Sequence, residues 1–114
     1  MQDPNCLFCK IVKGEIPAKI LYKDEKCVAF NDIDPQAPTH FLVIPKVHIG
    51  SCGEINGTNS LVVGRCFEAV SKVAKELGLT DFRVVSNCGP QAGQSVLHLH
   101  FHVLGGRDMT WPPG

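Results

Sequence analysis

The sequence carries no net charge and contains no long apolar segment. Eleven lysine and arginine residues balance eleven aspartate and glutamate residues among the 114 residues of the chain. A chain without net charge lacks the electrostatic field that attracts a nucleic-acid backbone or an anionic membrane, so we expect neither as a partner. No apolar run approaches the roughly 20 residues that cross a bilayer. A small-molecule substrate, held by local groups, is the remaining expectation.

Signals for secretion, repeats and linkers are absent as well. Residues 1–5 do not resemble a signal peptide, and no low-complexity segment interrupts the chain. A chain of this length is typical of one domain, here residues 1–114, that buries about 60 to 70% of its unfolded surface. We therefore predict one cytoplasmic domain, in which the six cysteines are reduced thiols. Three of them, Cys27, Cys66 and Cys88, lie among apolar residues and are predicted to fill the core.

Three histidines alternate with apolar residues in the segment Val96–Leu104. If this segment is a strand, His98, His100 and His102 share one face and lie about 6.6 Å apart along the strand. The residues predicted to line the opposite face are Leu97, Leu99, Phe101 and Val103. One exposed histidine is common on a solvated strand, whereas strict alternation of three predicts a site. Imidazole transfers protons, attacks electrophiles and binds metals near neutral pH.

A glycine-rich loop precedes the histidine segment. Residues 87–95 follow a predicted strand over 82–86 and include Gly89 and Gly93, where backbone N–H groups can approach an anion closely. Ser95 adds a hydroxyl near the start of the histidine segment. Such a loop alone predicts only a turn. Beside three histidines it favours a site for a phosphate group.

Hydrophobic periodicity predicts an α+β fold. The apolar residues of 60–77 recur at helical spacing, and Gly78 ends that helix. The other predicted elements are a short helix over 5–13, strands over 20–23, 26–30, 40–44 and 82–86, and the histidine strand. These elements give an antiparallel sheet of about five strands with one long and one short helix, the long helix covering its apolar face.

The pair Cys6 and Cys9 lies on the predicted short helix, where residues three apart share one side of a turn. Two such thiolates can bind one zinc ion, and a closed tetrahedral site needs two further ligands. The candidates are His48 and His98. A redox-active pair is one alternative, but no βαβ pattern of the thioredoxin type surrounds it. The other alternative is a pair of free thiols, with His48 on a surface loop.

The histidine segment resembles the signature of the histidine triad hydrolases, in which histidines alternate with apolar residues as they do over 98–104. Segments 92–96 and 105–114 resemble the Hint branch of that family, the nucleoside phosphoramidate hydrolases. Further similarity lies in segments 30–33 and 35–46. The resemblance thus covers nearly the whole chain.

This resemblance implies hydrolysis of purine nucleoside 5′-phosphoramidates, the conjugates of AMP or GMP with an amine, in a reaction that needs no metal. It implies that His100 is the nucleophile and forms a covalent nucleotidyl intermediate. His102 would stabilise the charge that grows on the phosphate, and Ser95 would assist the departing amine. His40 would have only a supporting role. The substrate-binding residues implied are Phe30, Asp32, Ile33, Asn87, Gly93, Gln94, Ser95, His100, His102 and Trp111.

The resemblance also implies a homodimer in which two sheets join into one, with Trp111 of each chain reaching the active site of the partner. Some bacterial relatives with the same cysteine pair bind zinc, which supports a structural site of Cys6, Cys9, His48 and His98. Two alternatives stay open. A dinucleoside polyphosphate hydrolase of the Fhit branch shares the histidines but not this C-terminal segment. A nucleotide-binding scaffold would catalyse only incidentally.

Overall fold

Seven helices and strands position the site, and they are described for residues 3–114 of a computed structural model. The helices are α1 (Leu7–Val12) and α2 (Ser60–Glu76). The strands are β1 (Ile20–Lys23), β2 (Cys27–Asn31), β3 (Thr39–Pro45), β4 (Phe82–Val85) and β5 (Phe101–Gly105). Two short 3-10 turns, Cys52–Glu54 and Pro90–Ala92, lie in the connections. Residues 1 and 2 of the segment compared above with a signal peptide lie outside the described residues.

The sheet is antiparallel throughout, in the order β1-β2-β3-β5-β4. Together with one long and one short helix in residues 3–114, it confirms the predicted α+β fold. β1 and β4 are the edge strands. Within the same range, no helix has the length and the apolar character that crossing a membrane requires.

α2 covers one face of the sheet because its apolar residues recur on one side of the helix. The buried ones are Cys66, Ala69, Val70, Val73 and Ala74. Most of them pack against Leu99, just before β5, and against Phe101 and Val103 of that strand. Full burial of one such valine, leucine or phenylalanine contributes about 1.5 to 3 kcal/mol. Gly78, with a φ of 72°, follows the helix in the left-handed conformation and ends it, as predicted.

α1 lies on the opposite face of the sheet. Phe8 and Cys9 are buried there against a second apolar cluster from β2 and β3. The strand residues of that cluster are Val28, Phe30, Leu42 and Ile44. A cavity lined by α1, by the strands and by the last two histidines occupies the rest of this face.

The histidine segment departs from the predicted strand. β5 begins at Phe101, so only the last of the three histidines lies within a strand. The chain bends at 96–98, and the N–H of Leu99 donates to the carbonyl oxygen of Ile49, 2.6 Å away. The alternation persists, since Leu99 belongs to the core beneath α2. Leu97 lies at the bend and is 68% exposed, so it does not join Leu99, Phe101 and Val103 on the apolar face as predicted.

The cysteines predicted to fill the core fall into two groups. Cys27 and Cys66 are fully buried, as predicted. Cys88 is exposed, so that prediction is wrong. It lies in the loop after β4, outside the sheet, with its thiol 3.4 Å from the hydroxyl of Ser51. All six cysteines in the described part of the chain are free thiols.

Candidate active site

A cavity of about 560 Å³ lies beside the histidines, on the face of the sheet that α1 partly covers. The predicted site residues that line it are Phe30, Asp32, Ile33, Asn87, Gly93, Ser95, His100 and His102. They come from β2, the connection after it, the glycine-rich loop and the start of β5, which the strand order brings together. A cleft of about 640 Å³ beside the start of α2 has no histidine or cysteine in its lining. The chemically useful residues therefore converge on the smaller cavity.

Sequence reasoning missed the apolar wall of this cavity. Leu7, Phe8 and Ile11 of α1 line it, followed by Ile16 in the connection to β1. Leu7 is 44% exposed, although its type predicts burial. An exposed leucine on a helix that packs through Phe8 and Cys9 indicates a binding surface. This indication is available only once the packed face of the helix is known.

The imidazole of His100 is buried and fixed in orientation. Its Nδ1 lies 2.6 Å from the carbonyl oxygen of His98, so Nδ1 carries the proton and donates it in a hydrogen bond. The lone pair of Nε2 is then free on a side chain that lines the cavity. The ring of Phe8 packs edge-on against this imidazole, with the ring centroids 5.1 Å apart. An imidazole that is oriented in this way can act as a nucleophile through Nε2.

A chain of hydrogen bonds sets the position of the proton on His102. The backbone N–H of Gln36 donates to Nδ1 of His40 over 3.0 Å, which leaves the His40 proton on Nε2. The Nε2–H of His40 donates to Nδ1 of His102 over 2.9 Å, so His102 carries its own proton on Nε2. Asp32 Oδ2 lies 3.4 Å from His40 Nε2. His102 thus offers an N–H donor of the kind that stabilises a phosphate oxygen.

Burial keeps both of these histidines neutral near pH 7. It lowers the pKa of His102 to about 4, and the neighbouring His100 and His40 add to the shift. Burial also lowers the pKa of His40, against the opposing charges of Asp32 and Asp34. Only neutral rings, with one donor and one acceptor each, can continue the hydrogen-bond chain from His40 to His102. His40 therefore positions a proton in the site, a role that the sequence alone did not show.

A second cluster consists of Cys6, Cys9, His48 and His98. Sγ of Cys6 lies 3.3 Å from Nδ1 of His98, and the Nδ1 atoms of the two histidines are 3.2 Å apart. Sγ of Cys9 lies 3.5 Å from Nδ1 of His48 and 3.6 Å from Nδ1 of His98. The edges of a tetrahedron around zinc measure about 3.3 to 3.8 Å when the Zn–S and Zn–N bonds have their usual lengths. The four donor atoms therefore fit a tetrahedral metal ion.

The protonation of this cluster also agrees with metal binding. Nε2 of His98 donates to the carbonyl oxygen of Pro45 over 2.9 Å, which leaves the lone pair of Nδ1 inside the cluster. Burial lowers the pKa of His98 to about 4, so the ring is neutral. Burial raises the pKa of the Cys6 thiol. A bound cation would reverse that effect, because a metal-coordinated thiol is deprotonated.

The trio Asp32, His40 and His102 has ligand atoms at comparable spacing. There the backbone N–H of Gln36 donates to Nδ1 of His40, so Nε2 carries a proton rather than a lone pair. A metal ion bound at this trio would therefore face the Nε2–H of His40 instead of a lone pair. The cysteine-containing cluster is therefore the better metal site of the two.

Comparison with known proteins agrees with this arrangement. A family model of the HIT domain matches residues 13–109. The chain belongs to the HIT family. The 14 kDa zinc-binding protein of Zea mays is 49% identical over 117 residues, a match that covers 100% of this chain and 91% of the maize protein. Solved HIT family hydrolases from Legionella pneumophila Philadelphia 1 and Clostridium thermocellum are each 48% identical, with TM-scores of 0.93. These matches cover 96% of this chain and 100% and 96% of the two hydrolases.

Gln94 of this HIT protein is held by hydrogen bonds on both sides of the glycine-rich loop. Its side-chain oxygen accepts the N–H of Gly89, and its amide nitrogen donates to the carbonyl oxygens of Gly50 and Val96. Its backbone N–H also donates within the loop, to Gly89. Gln94 is buried and does not line the cavity. Gln94 therefore holds the loop in shape, and Ser95 is the hydroxyl that lines the cavity, while substrate binding by Gln94 stays a prediction.

Gly93 lines the cavity in a conformation that favours glycine. Its φ is 92°, in the left-handed region. Its N–H donates to the carbonyl oxygen of Pro90 over 3.1 Å and is therefore already used within the loop. The backbone at Gly93 thus shapes the turn that brings Ser95 to the cavity, and its predicted contact with an anion stays a prediction.

Trp111 lies outside the cavity of its own chain and is 80% exposed. Arg83 of β4 holds this part of the C-terminal segment. Its guanidinium donates to the carbonyl oxygen of Thr110 over 2.9 Å and lies 5.8 Å from the centre of the indole ring. Trp111 therefore does not contribute to the cavity of its own chain.

We expect the free energy of unfolding of this HIT protein to fall as the pH decreases from about 6.5 to about 4. His102 has a pKa of about 4 in the fold against an ordinary value of 6.5, so in this window the unfolded chain binds a proton that the folded chain does not. The contribution of His102 to the free energy of unfolding is therefore fully present above pH 6.5. It decreases by about 1 to 3 kcal/mol as the pH falls to about 4. Denaturant unfolding of the parent and of His102→Asn across this pH range measures the effect. The variant should lose less stability, and equal pH slopes would contradict this origin.

Proposed function

We propose that this protein hydrolyses purine nucleoside 5′-phosphoramidates to an amine and a nucleoside 5′-monophosphate, with a covalent nucleotidyl intermediate on His100. The observation that carries the proposal is the hydrogen bond from His100 Nδ1 to the carbonyl oxygen of His98, which selects the tautomer with its lone pair on Nε2, on a residue that lines the cavity. Hydrolysis agrees with the names of the Legionella and Clostridium relatives. The resemblance of the C-terminal segment to the Hint branch supports the choice of substrate.

The cavity suits a nucleoside. Phe30 and Ile33 line it and offer apolar surface on which a purine can pack. The carboxylate of Asp32 can accept hydrogen bonds from ribose hydroxyls, and its Oδ1 is oriented by the N–H of Asp34 over 2.8 Å. Asn87 lines the same cavity and offers an amide to the sugar or the phosphate. These local groups would hold the nucleotide in a chain that has no net charge to attract it.

The reaction then consists of two displacements at phosphorus. In the first, Nε2 of His100 forms a bond to phosphorus, the P–N bond breaks, and the amine leaves with a proton that Ser95 helps to deliver. The N–H of His102 donates to a phosphate oxygen as charge grows there. In the second, water attacks phosphorus and gives up a proton, which replaces the one delivered to the amine, the bond to His100 breaks, and the monophosphate leaves. His40 is a positioning residue because it fixes the proton of His102.

We also propose that the cluster of Cys6, Cys9, His48 and His98 binds zinc. The name of the maize relative, a zinc-binding protein, supports this choice of metal. Bound zinc would neutralise the charge of the two thiolates and crosslink α1 to the segment before β5. Its role would be structural, because the nucleophile and the phosphate-binding histidine lie outside the cluster.

Turnover of adenosine 5′-phosphoramidate and of a diadenosine polyphosphate, measured side by side on the purified protein, tests the proposed activity. We expect the phosphoramidate to be favoured by at least about tenfold in kcat/KM. Preference for the dinucleotide would instead indicate a hydrolase of the Fhit type. Binding of AMP without turnover of either compound would indicate a nucleotide-binding scaffold.

We further propose a homodimer formed through β4. This edge strand has one unpaired side, and native proteins commonly cover such an edge. Phe82 of β4 is 39% exposed, and Arg83 holds the segment with Trp111 next to this edge. Pairing with β4 of a second copy would continue the sheet and bring Trp111 toward the second chain. The other partner that we propose is a purine nucleotide. We propose neither a nucleic-acid polymer nor a membrane as a partner, and we propose that the protein acts in the cytoplasm.

Deletion of residues 108–114 should change the order of preference among amine leaving groups more than it changes folding. If Trp111 of one chain shapes the amine side of the cavity in the other, its loss removes a specificity contact but no core residue. The measurement is kcat/KM for a series of adenosine phosphoramidates with aliphatic and aromatic amines. Trp111→Ala is the matched control and should shift the order in the same direction. An unchanged order in both variants would contradict the proposed contact.

A further inference from the structure

One short helix contributes to two sites. Cys6, at the N-cap of α1, and Cys9 belong to the cysteine-containing cluster. Leu7, Phe8 and Ile11 of the same segment line the cavity. Residues three or four apart share a face of a helix, so the two sets occupy adjacent sides of α1. Any movement of this helix therefore changes both sites together.

The two sulfur atoms hold the beginning of α1. Cys6 Sγ accepts the N–H of Cys9 over 3.4 Å, and Cys9 Sγ accepts the N–H of Asp3 over 3.4 Å. The helix has six residues, well below the roughly 12 to 15 that an isolated helix needs to be even marginally stable. Its position therefore depends on side-chain anchors. Cys9 is the most buried of them, with no exposed surface.

Phe8 connects the two sites directly. Its ring lies edge-on to His98 of the cluster, with centroids 5.9 Å apart, and edge-on to His100, at 5.1 Å. It also packs on Phe30 of the cavity wall, at 5.6 Å. His102, in contrast, accepts a hydrogen bond from His40 of β3, and its ring packs on His100, with centroids 5.0 Å apart, rather than on Phe8. The nucleoside side of the cavity thus depends on α1 more than the phosphate-binding histidine does.

We propose that a zinc ion in the cysteine-containing cluster sets the affinity of the cavity for the nucleoside part of the substrate, through the position of α1. The inference rests on the proposed function, because it requires a purine nucleoside to pack against the α1 wall. With zinc bound, the wall is formed before the nucleoside arrives. Without zinc, α1 is held more weakly, and the nucleoside must order the helix itself, which lowers the apparent affinity.

Such a coupling is necessarily mutual. If zinc raises the affinity for the nucleoside by some factor, the nucleoside raises the affinity for zinc by the same factor. Couplings between sites commonly amount to about 5- to 150-fold. We expect at least about fivefold here, since α1 carries ligands for one site and wall residues for the other.

Competition for zinc between the intact, zinc-loaded protein and a chelator tests the coupling. The equilibrium is measured without ligand and with saturating adenosine, AMP or inorganic phosphate. Adenosine and AMP should each raise the apparent zinc affinity at least about fivefold, while inorganic phosphate, which can contact His100 but brings no nucleoside to the wall formed by α1, should raise it by less than about twofold. The same zinc affinity in all four conditions, or a protein that binds no zinc, overturns the inference.

Direct titration of the zinc-loaded protein with AMP separates the two proposals. If AMP binds but leaves the zinc affinity unchanged, the coupling fails and the proposed function stands. If AMP does not bind at all, the proposed function fails and the coupling fails with it.

Ile11→Ala and Ile33→Ala form a matched pair of variants. Both residues line the cavity, but only Ile11 lies on α1. Both variants should weaken AMP binding. Ile11→Ala should also reduce the effect of AMP on zinc affinity, whereas Ile33→Ala should preserve it. An equal reduction in both variants would overturn the route through α1.

Discussion

Replacement of His100 by alanine should reduce turnover by at least about a thousandfold while changing the affinity for AMP by less than about fivefold. The imidazole of His100 is buried, and its Nδ1 proton is committed to the carbonyl oxygen of His98, so Nε2 is the unprotonated nitrogen that can attack phosphorus. Alanine removes that atom. The carboxylate of Asp32 and the apolar wall around the nucleoside remain, which is why binding should persist. Steady-state kinetics and AMP titration measure the two quantities.

His40→Asn is the matched control for the nucleophile. It removes a positioning residue that acts on the substrate only through His102. We therefore expect kcat to fall by about ten- to a hundredfold and the covalent intermediate to be retained. The intermediate is detected as an adenylyl group on the peptide that contains His100, after rapid quenching and mass analysis. Turnover of His100→Ala within tenfold of the parent, or an adenylyl group on a different residue, would contradict the assignment.

Local sequence patterns predicted the layers of the fold but not every boundary. The spacing of residues such as Cys66 and Val73 fixes which side of α2 is buried, because that periodicity is a property of the helix itself. In the same way, the alternation of Leu99 with histidines predicts that the leucine lies on the core side of the sheet and the histidines on the other side. Leu97 does not follow this pattern, since it lies at the bend over 96–98, next to a backbone hydrogen bond from Leu99 to Ile49, a residue distant in the chain.

The candidate site shows the same division between local and distant information. The histidines and Asp32 were predicted because their residue types and a family resemblance point to phosphate and ribose chemistry. The partnership of His40 with His102 joins β3 to β5, and no local pattern reports it. Leu7 was missed as part of the apolar wall for a related reason: periodicity marks it as apolar, but only the docking of α1 shows which side stays open.

Replacement of Cys9 by serine should release the zinc and lower the thermal midpoint by more than about 10 °C. Cys9 is fully buried, and its sulfur lies within 3.5 to 3.6 Å of both histidines of the cluster. Serine is a poor zinc ligand, and a tetrahedral site that loses one of four ligands is open to water. Structural zinc sites contribute on the order of 10 kcal/mol of apparent binding energy, so loss of the metal should dominate the effect on stability. Elemental analysis and thermal unfolding measure both consequences.

Cys88→Ser is the matched control for Cys9→Ser, because it makes the same chemical change at an exposed thiol outside the cluster. It should keep its zinc and shift the midpoint by no more than about 2 °C. Cys9→Ser should also retain part of its turnover at low temperature, with a raised KM rather than a lost kcat, because His100 keeps its bond to the carbonyl oxygen of His98. Less than about half an equivalent of zinc per chain in parent protein purified without chelator would contradict the site, since a four-ligand site of this affinity should stay filled.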